Sequence, residues 1–121
     1  MKELNKLVRD KIPEIIVSQG KKITLRKVDK ENKVIPYLLE KLDEEIAELK
    51  EAYSDFNIDQ YDNDTAENVI EEMADVLEVL YGLCYHTKIT KMLERVTTKR
   101  KQKNDERGGF EKMFFVESVE E

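Results

Sequence analysis

The sequence has little of what builds disulfide frameworks, zinc sites and turn-rich β-folds. Its 121 residues include one cysteine, one histidine, two prolines, four glycines and no tryptophan. Cys84 has no second cysteine with which to form a disulfide, and one cysteine with one histidine is too few for a zinc site. A β-sandwich would need more turn residues, so the composition favours charge-rich helices.

Long apolar runs and the common phosphate-binding loops are also missing. No window approaches the roughly 18 uninterrupted apolar residues of a membrane span, and "MKELNKLVRDK" lacks the apolar core of a signal peptide. We therefore expect a cytoplasmic protein with no membrane partner. Neither GxxxxGK(S/T) nor GxGxxG occurs, so any phosphate chemistry would depend on metal ions and on lysine or arginine.

The 27 acidic and 21 basic residues are distributed unevenly along the chain. Residues 1–39 carry a net charge of +5, residues 40–78 carry −13, and residues 79–112 return to +5. An acidic middle between basic flanks suggests a site where cations meet bound anions, although solvated helix faces give the same pattern. We expect no nucleic-acid partner, because the basic stretch 99–107 is offset by the acidic middle and lacks interleaved aromatic residues.

Apolar periodicity predicts an all-α fold of about four helices in one domain, residues 1–121. The helices are expected within residues 9–20, from about 35 to 53, from about 65 to 85, and from Thr90 to Gly108 or Gly109. Pro36 is expected to mark the restart of the second helix, because proline lacks the N–H that an interior helical residue donates. Minor short strands are expected near both ends, at residues 22–28 and 111–117, pairing with each other.

Two pairs of acidic residues are set into apolar helices. By helical spacing, Glu45 lies at the edge of the apolar stripe of the second helix, with Glu48 as its neighbour at i+3. Glu72 falls inside an apolar arc of the third helix, and Asp75 lies at the rim of that arc. An ionised carboxylate in such a layer costs several kcal/mol unless it is paired, protonated or bound to a metal.

Two explanations for the four acids remain open: salt bridges within a helical bundle, or a divalent cation. Residues 40–78 contain only two cations, Lys41 and Lys50, so pairing cations are expected from elsewhere in the chain. Oxygen donors at i, i+3 on two facing helices would favour Mg²⁺ or Mn²⁺ over zinc or copper. A di-iron bundle is excluded, because the single histidine, His86, follows Leu83 where a glutamate is required.

The third helix is apolar on two sides. One face carries Ala66, Val69, Ile70, Met73, Leu77, Leu80 and Cys84, and the other carries Val76, Val79 and Leu83. A helix apolar on two sides must pack on two sides, which needs more partners than one short chain supplies. We therefore predict a homodimer or a dimer of dimers, with the active site close to the subunit contact.

Four stretches of the sequence resemble one known family. "EEIAE" (44–48) followed by "EEMAD" (71–75) resembles the EExxE…ExxD signature of the MazG-like, all-α nucleoside triphosphate pyrophosphohydrolases. "NKLVRDKIPEII" (5–16) and "KRKQKNDERGGF" (99–110) are similar to the ends of the phosphoribosyl-ATP pyrophosphohydrolase-like subgroup. The resemblance implies a MazG-like helical bundle that hydrolyses a nucleotide between its α and β phosphates, giving a nucleoside monophosphate and pyrophosphate.

Carried over residue by residue, the resemblance implies Mg²⁺ ligation by Glu45, Glu48, Glu72 and Asp75. Glu44 would be an outer-sphere or water-orienting acid, so Glu44 and Glu45 are the candidate catalytic residues. The substrate would be a nucleoside triphosphate or a phosphoribosyl nucleotide. The candidate residues for binding it are Asn5, Arg9, Lys11, Lys103 and Arg107, because arginine and lysine bind phosphate oxygens and Asn5 could bind the base or ribose.

A second class of function is compatible with the same sequence. The protein would then be a non-catalytic helical dimer of the same ancestry, which uses its acidic face to bind a basic protein partner. The two hypotheses differ in their response to metal, because a site of four carboxylates is stabilised by Mg²⁺ and a protein-binding face has no such requirement.

Overall fold

The computed structural model describes residues 3–28 and 31–120, and within them all regular structure is helical. The four helices are α1 (Ile12–Ser18), α2 (Glu31–Asp55), α3 (Asn63–His86) and α4 (Met92–Arg107). The all-α prediction is confirmed. Among these residues no helix is both long and apolar enough to cross a membrane. The chain divides into two compact units, one ending at Thr87 and the other beginning at Lys88.

The first unit is organised around α2 and α3, which pack along each other as an antiparallel pair. Leu38, early in α2, lies against Gly82, late in α3, where an added Cβ would be 3.4 Å from Leu38 Cδ2. The buried residues between the helices are small, namely Ala52, Ala66, Val69 and Val79, together with Glu45. Small side chains let two helices approach closely, so this interface places polar groups of both helices within reach of each other.

The ends of α3 agree closely with the sequence, whereas the start of α2 does not. Asp62 caps α3, because its side chain accepts a hydrogen bond from the Asp64 N–H at 2.9 Å. The prediction that Pro36 restarts α2 is wrong: the helix begins at Glu31 and includes Pro36. Pro36 is the sixth residue of the helix, where proline removes one backbone donation, and the helix continues through it.

The first helix is short, with seven residues in about two turns, and follows the N-terminal segment. Pro13 lies in its first turn, where proline's fixed φ suits a helix and its missing N–H costs nothing. Gly20 follows the helix with φ +79°, a left-handed conformation that side chains other than glycine adopt at a cost. No residue of α1 is buried.

The second unit contains α4 and the segment that follows it. Gly108, with φ +83°, ends α4, and its N–H donates to the Asn104 carbonyl at 2.8 Å. The predicted cap at Thr90 is displaced by one residue, because Lys91 precedes the helix in the left-handed conformation and provides no side-chain cap. No residue of α4 is buried, and its six basic and three acidic side chains are exposed to solvent along the helix.

The two predicted strands are absent from the described residues. Residues 22–28 and 111–117 have no strand hydrogen bonding, so these predictions are wrong. Apolar Ile23 and Leu25 alternate with polar residues, which gives the segment one apolar side. A strand, however, forms only when another strand satisfies its backbone groups. Phe114 and Phe115 are exposed rather than folded onto a sheet.

The structure also shows which side of α3 is covered. Ala66, Val69 and Val79 are buried against α2. The face expected to form the main apolar stripe is instead substantially exposed: Ile70 is 58% exposed, Met73 46%, Leu77 47% and Leu80 43%. In the first unit, therefore, α2 covers Ala66 and Val69 of this face together with Val79 of the other side, and four larger residues of the face are left at the surface. We call these four residues, 70, 73, 77 and 80, the α3 stripe.

Candidate metal centre

Four carboxylates converge where α2 and α3 pack together. Glu45 and Glu48 from α2 meet Glu72 and Asp75 from α3, and each contributes one oxygen to a group whose members all lie within 4.8 Å of one another. The i, i+3 spacing puts both acids of each pair on the same side of their helix. We call these four residues the acidic cluster.

Burial differs among the members of the acidic cluster. Glu45 is the most buried, with 6% of its surface exposed, while Glu48 is exposed and Glu72 and Asp75 are intermediate. Two oxygens, Glu45 Oε2 and Glu72 Oε2, are buried and have no hydrogen-bond partner. A buried acceptor without a partner costs on the order of 1–3 kcal/mol, and more if it is charged, so a cation or a proton bound at these oxygens would be stabilising.

Lys41 is the cation closest to the buried end of the acidic cluster. Its Nζ lies 3.2 Å from Glu45 Oε1 and 3.2 Å from Glu44 Oε1, and its side chain is 15% exposed. The expectation that pairing cations come only from outside residues 40–78 is therefore wrong. Lys41 precedes Glu45 by four residues on α2, a spacing that places the two side chains side by side.

The N-terminal segment supplies further cations, as expected from the charge distribution. An Arg9 guanidinium nitrogen lies 2.6 Å from Asp75 Oδ1, and Lys6 Nζ lies 3.7 Å from Glu44 Oε1. Both contacts join residues far apart in sequence, and together they hold the segment before α1 against the α2–α3 pair. Glu44 itself is not a member of the acidic cluster, and its contacts are Lys6 and Lys41.

The remaining candidate substrate-binding residues are not brought together by contacts within one unit. Asn5 donates a weak hydrogen bond to Glu3 at 3.4 Å, and Lys11 is exposed immediately before α1. Lys103 and Arg107 belong to α4 in the second unit, where both are exposed. Lys41 was missed as a partner of the acidic cluster, and Lys6 as a partner of Glu44. For Lys41 a signal existed, the i, i+4 spacing to Glu45.

The environment of Glu45 changes its acidity. Burial is the largest cause and raises the pKa of the Glu45 carboxyl above its ordinary value of 4.5, and the neighbouring Glu48 carboxyl acts in the same direction. Lys41 opposes this rise. For Lys41, burial alone would lower the pKa, but the hydrogen bonds to Glu45 and Glu44 outweigh it and raise the pKa above 10.5. Lys41 therefore stays charged beside Glu45.

These directions predict a dependence of stability on pH. Because the pKa of Glu45 is higher in the folded state, the folded protein binds more protons in the window above pH 4.5, and its unfolding free energy falls as pH rises through that window. Glu45→Gln removes the carboxyl group and with it this pH dependence of the unfolding free energy. The stability of the wild type relative to the variant should therefore decrease with rising pH, as measured by urea unfolding in the presence of EDTA. Glu51→Gln, an exposed change on α2, is the control. A difference in unfolding free energy between wild type and Glu45→Gln that stays constant with pH would contradict the raised pKa of Glu45.

The acidic cluster fits a divalent cation on two observations. Its donors are carboxylate oxygens, which are the ligands that Mg²⁺ and Mn²⁺ prefer. Its two buried oxygens without partners belong one to each helix, so a cation between α2 and α3 would satisfy both. Lys41 and Arg9 each take one oxygen from the cluster and leave these two free.

Comparison with known proteins gives one match. A family model described as phosphoribosyl-ATP pyrophosphohydrolase matches residues 1–104. The matched range includes the whole acidic cluster, Glu44, Arg9 and Lys103, and ends before Arg107. No curated protein and no solved structure matches the chain. The family resemblance seen in the sequence is thereby confirmed over most of the chain.

Proposed function

The chain belongs to the phosphoribosyl-ATP pyrophosphohydrolase family, a family of hydrolases acting on acid anhydrides, and from that premise we propose the reaction and the residues that perform it. The protein cleaves a nucleoside triphosphate or a phosphoribosyl nucleotide between the α and β phosphates, in a Mg²⁺-dependent reaction. The products are a nucleoside monophosphate and pyrophosphate. The observation that carries the proposal is the acidic cluster, with a buried oxygen lacking a partner on each of two helices.

Glu45, Glu48, Glu72 and Asp75 would hold Mg²⁺, and Mn²⁺ suits the same donors. A divalent cation bound there supplies neutralisation of phosphate charge and lowers the pKa of a bound water. The chain's own residues prepare this site. Lys41 fixes one oxygen of Glu45 through a contact of 3.2 Å, and the other oxygen of the same carboxylate, Oε2, remains without a partner.

Glu44 is the residue best placed to act on water next to the acidic cluster. It follows Lys41 by three residues, contacts it at 3.2 Å, and lies next to Glu45 in sequence. A carboxylate outside the metal ligands can orient a water and take its proton during attack on the α-phosphorus. Glu45, which shares Lys41 with Glu44, is the second residue that we propose for catalysis, in addition to its role in metal binding. No covalent intermediate is required.

Substrate phosphates are bound by basic residues from both ends of the sequence. Arg9 contacts the acidic cluster and Lys11 lies two residues further on, while Asn5 precedes them in the same segment. Lys103 and Arg107, in the second unit, are candidates from the sequence resemblance alone. Arginine is the stronger candidate at each end, because its guanidinium binds two phosphate oxygens at once.

The proposal includes assembly and location. The exposed α3 stripe supports a homodimer or a dimer of dimers, in which the stripe of one copy packs against another copy. The active site would then lie close to the subunit contact, since α3 also carries Glu72 and Asp75. We propose further that residues 1–121 act as one domain in the cytoplasm. The family match supports the first part, because it runs across the boundary at Thr87.

A substrate screen tests the reaction class directly. Ribonucleoside and deoxyribonucleoside triphosphates and phosphoribosyl-ATP are each incubated with the protein and Mg²⁺, and pyrophosphate is scored against orthophosphate. We expect pyrophosphate from at least one substrate, with loss of the signal in EDTA. Orthophosphate instead of pyrophosphate would contradict cleavage between the α and β phosphates. If no substrate yields pyrophosphate or orthophosphate, the result would favour the non-catalytic dimer. The Arg9–Asp75 pair shows how the acidic face of such a dimer could bind a basic group.

A further inference from the structure

Arg9 occupies a carboxylate that the proposed function assigns to the metal. Its guanidinium nitrogen lies 2.6 Å from Asp75 Oδ1, and the contact spans 66 residues of sequence. A guanidinium on Oδ1 leaves the other lone pairs of the carboxylate open, but its positive charge beside the site opposes binding of a divalent cation. A cation bound at the four carboxylates therefore weakens the Arg9–Asp75 pair, because the two positive charges repel each other.

The two cations at the acidic cluster differ in how readily they can leave. Lys41 is 15% exposed and is shared between Glu44 and Glu45, so moving it would leave Glu45 without its cation and Glu44 with Lys6 alone. The Arg9 side chain is 55% exposed and that of Asp75 is 36% exposed. An ion pair this open to water is weakly stabilising, and its members can separate at low cost. Lys41 is therefore the fixed counter-charge and Arg9 the removable one.

We propose that Arg9 exchanges partners when the metal site is filled. In the metal-free protein Arg9 neutralises Asp75 and competes with the cation for it. When the cation binds, Arg9 is released from Asp75 and becomes free to bind a substrate phosphate beside the metal. This inference rests on the proposed function. It adds that Arg9 couples occupancy of the metal site to substrate binding. Before the cation binds, Arg9 positions Asp75, and after the cation has bound, Arg9 binds a substrate phosphate.

The exchange gives Arg9 opposite effects on metal and on phosphate. Without phosphate, Arg9 weakens cation binding by about 1.5- to 5-fold, the range expected for breaking an exposed ion pair. With the metal bound, Arg9 strengthens binding of a phosphate anion. A residue that merely holds the N-terminal segment in place would not produce effects of opposite sign, because loss of local structure weakens both.

The first measurement is Mn²⁺ binding, followed by electron paramagnetic resonance of the free ion in the absence of nucleotide. Arg9→Gln is expected to tighten Mn²⁺ binding by about 1.5- to 5-fold. Arg9→Lys keeps the charge and is expected to stay close to wild type. Lys33→Gln is the matched control, since it removes one charge from an exposed position about 18 Å along α2 from Glu45. Unchanged or weaker binding in Arg9→Gln would overturn the proposal, as would equal tightening in Lys33→Gln.

The second measurement is binding of inorganic pyrophosphate to the Mn²⁺-saturated protein by calorimetry. Arg9→Gln is expected to weaken this binding about tenfold and Arg9→Lys to weaken it less, because lysine keeps the charge and loses the two-pronged contact. Pyrophosphate binding that is equal in wild type and Arg9→Gln would refute the role after loading. The proposed function can fail separately. Suppose the protein releases no pyrophosphate from any nucleotide, but the Arg9→Gln variant binds Mn²⁺ more tightly. The proposed reaction would then be refuted, and the exchange of partners by Arg9 would still be supported.

Discussion

Replacing Glu72 by glutamine is expected to reduce Mg²⁺-dependent pyrophosphate release by about a hundredfold or more. Glu72 contributes one of the two buried oxygens of the acidic cluster that have no partner. Glutamine has the same shape and keeps a carbonyl oxygen, but it removes the negative charge that attracts a divalent cation. The fold should survive. Because the change also removes one of four like charges, the variant should unfold in EDTA at a temperature equal to or above that of the wild type.

The measurement pairs activity with thermal unfolding. Mg²⁺ is expected to raise the melting temperature of the wild type, since a ligand that binds only the folded state stabilises it, and the variant should lose this response. Glu67→Gln, an exposed acid on the same helix, is the control and should keep both activity and the response to Mg²⁺. Full activity in Glu72→Gln would refute the ligand assignment. A wild type that does not respond to Mg²⁺ would instead favour the non-catalytic dimer.

The convergence of the four acids could be predicted because helical geometry fixes which residues share a face. Glu45 with Glu48, and Glu72 with Asp75, are each three residues apart, so each pair lies on one side of its helix whatever the tertiary fold. That the two sides meet depends on the antiparallel packing of α2 on α3. The family resemblance implied this meeting, and the apolar periodicity of either helix alone would not have required it.

Other features depend on which of several possible packing partners a segment finds, and a sequence pattern does not decide between those partners. The third helix has two apolar sides, and periodicity marks both without saying which one packs first. The structure buries Ala66, Val69 and Val79 against α2 and leaves the α3 stripe exposed. Lys41 was missed as a partner because the cations of residues 40–78 were counted rather than placed on the helix. The strands failed for a related reason, since their formation depends on a partner backbone.

The exposed side of α3 has a consequence for assembly. A contiguous apolar patch on a helix face is unusual at the surface of a monomer and typical of protein interfaces. The α3 stripe continues along the helix with Tyr81, which is also exposed. α2 adds exposed apolar residues of its own, including Leu39 and Tyr53. A second copy of the chain could bury such surfaces without requiring a different partner, and most soluble oligomers are assembled from identical copies.

Leu77→Asp is therefore expected to convert the oligomer to monomer, as measured by light scattering at low micromolar concentration. Leu77 lies at the middle of the α3 stripe, where a carboxylate would have to be desolvated in the interface, and a central interface position commonly weakens association by about 30-fold or more. Ile58→Asp, an equally apolar and more exposed residue in the loop between α2 and α3, is the control and should leave the mass unchanged. Because α3 carries Glu72 and Asp75 as well, pyrophosphate release should fall together with the mass if the subunit contact supports the active site. A wild type that is monomeric at these concentrations would contradict the assembly, and a fully active Leu77→Asp monomer would separate catalysis from it.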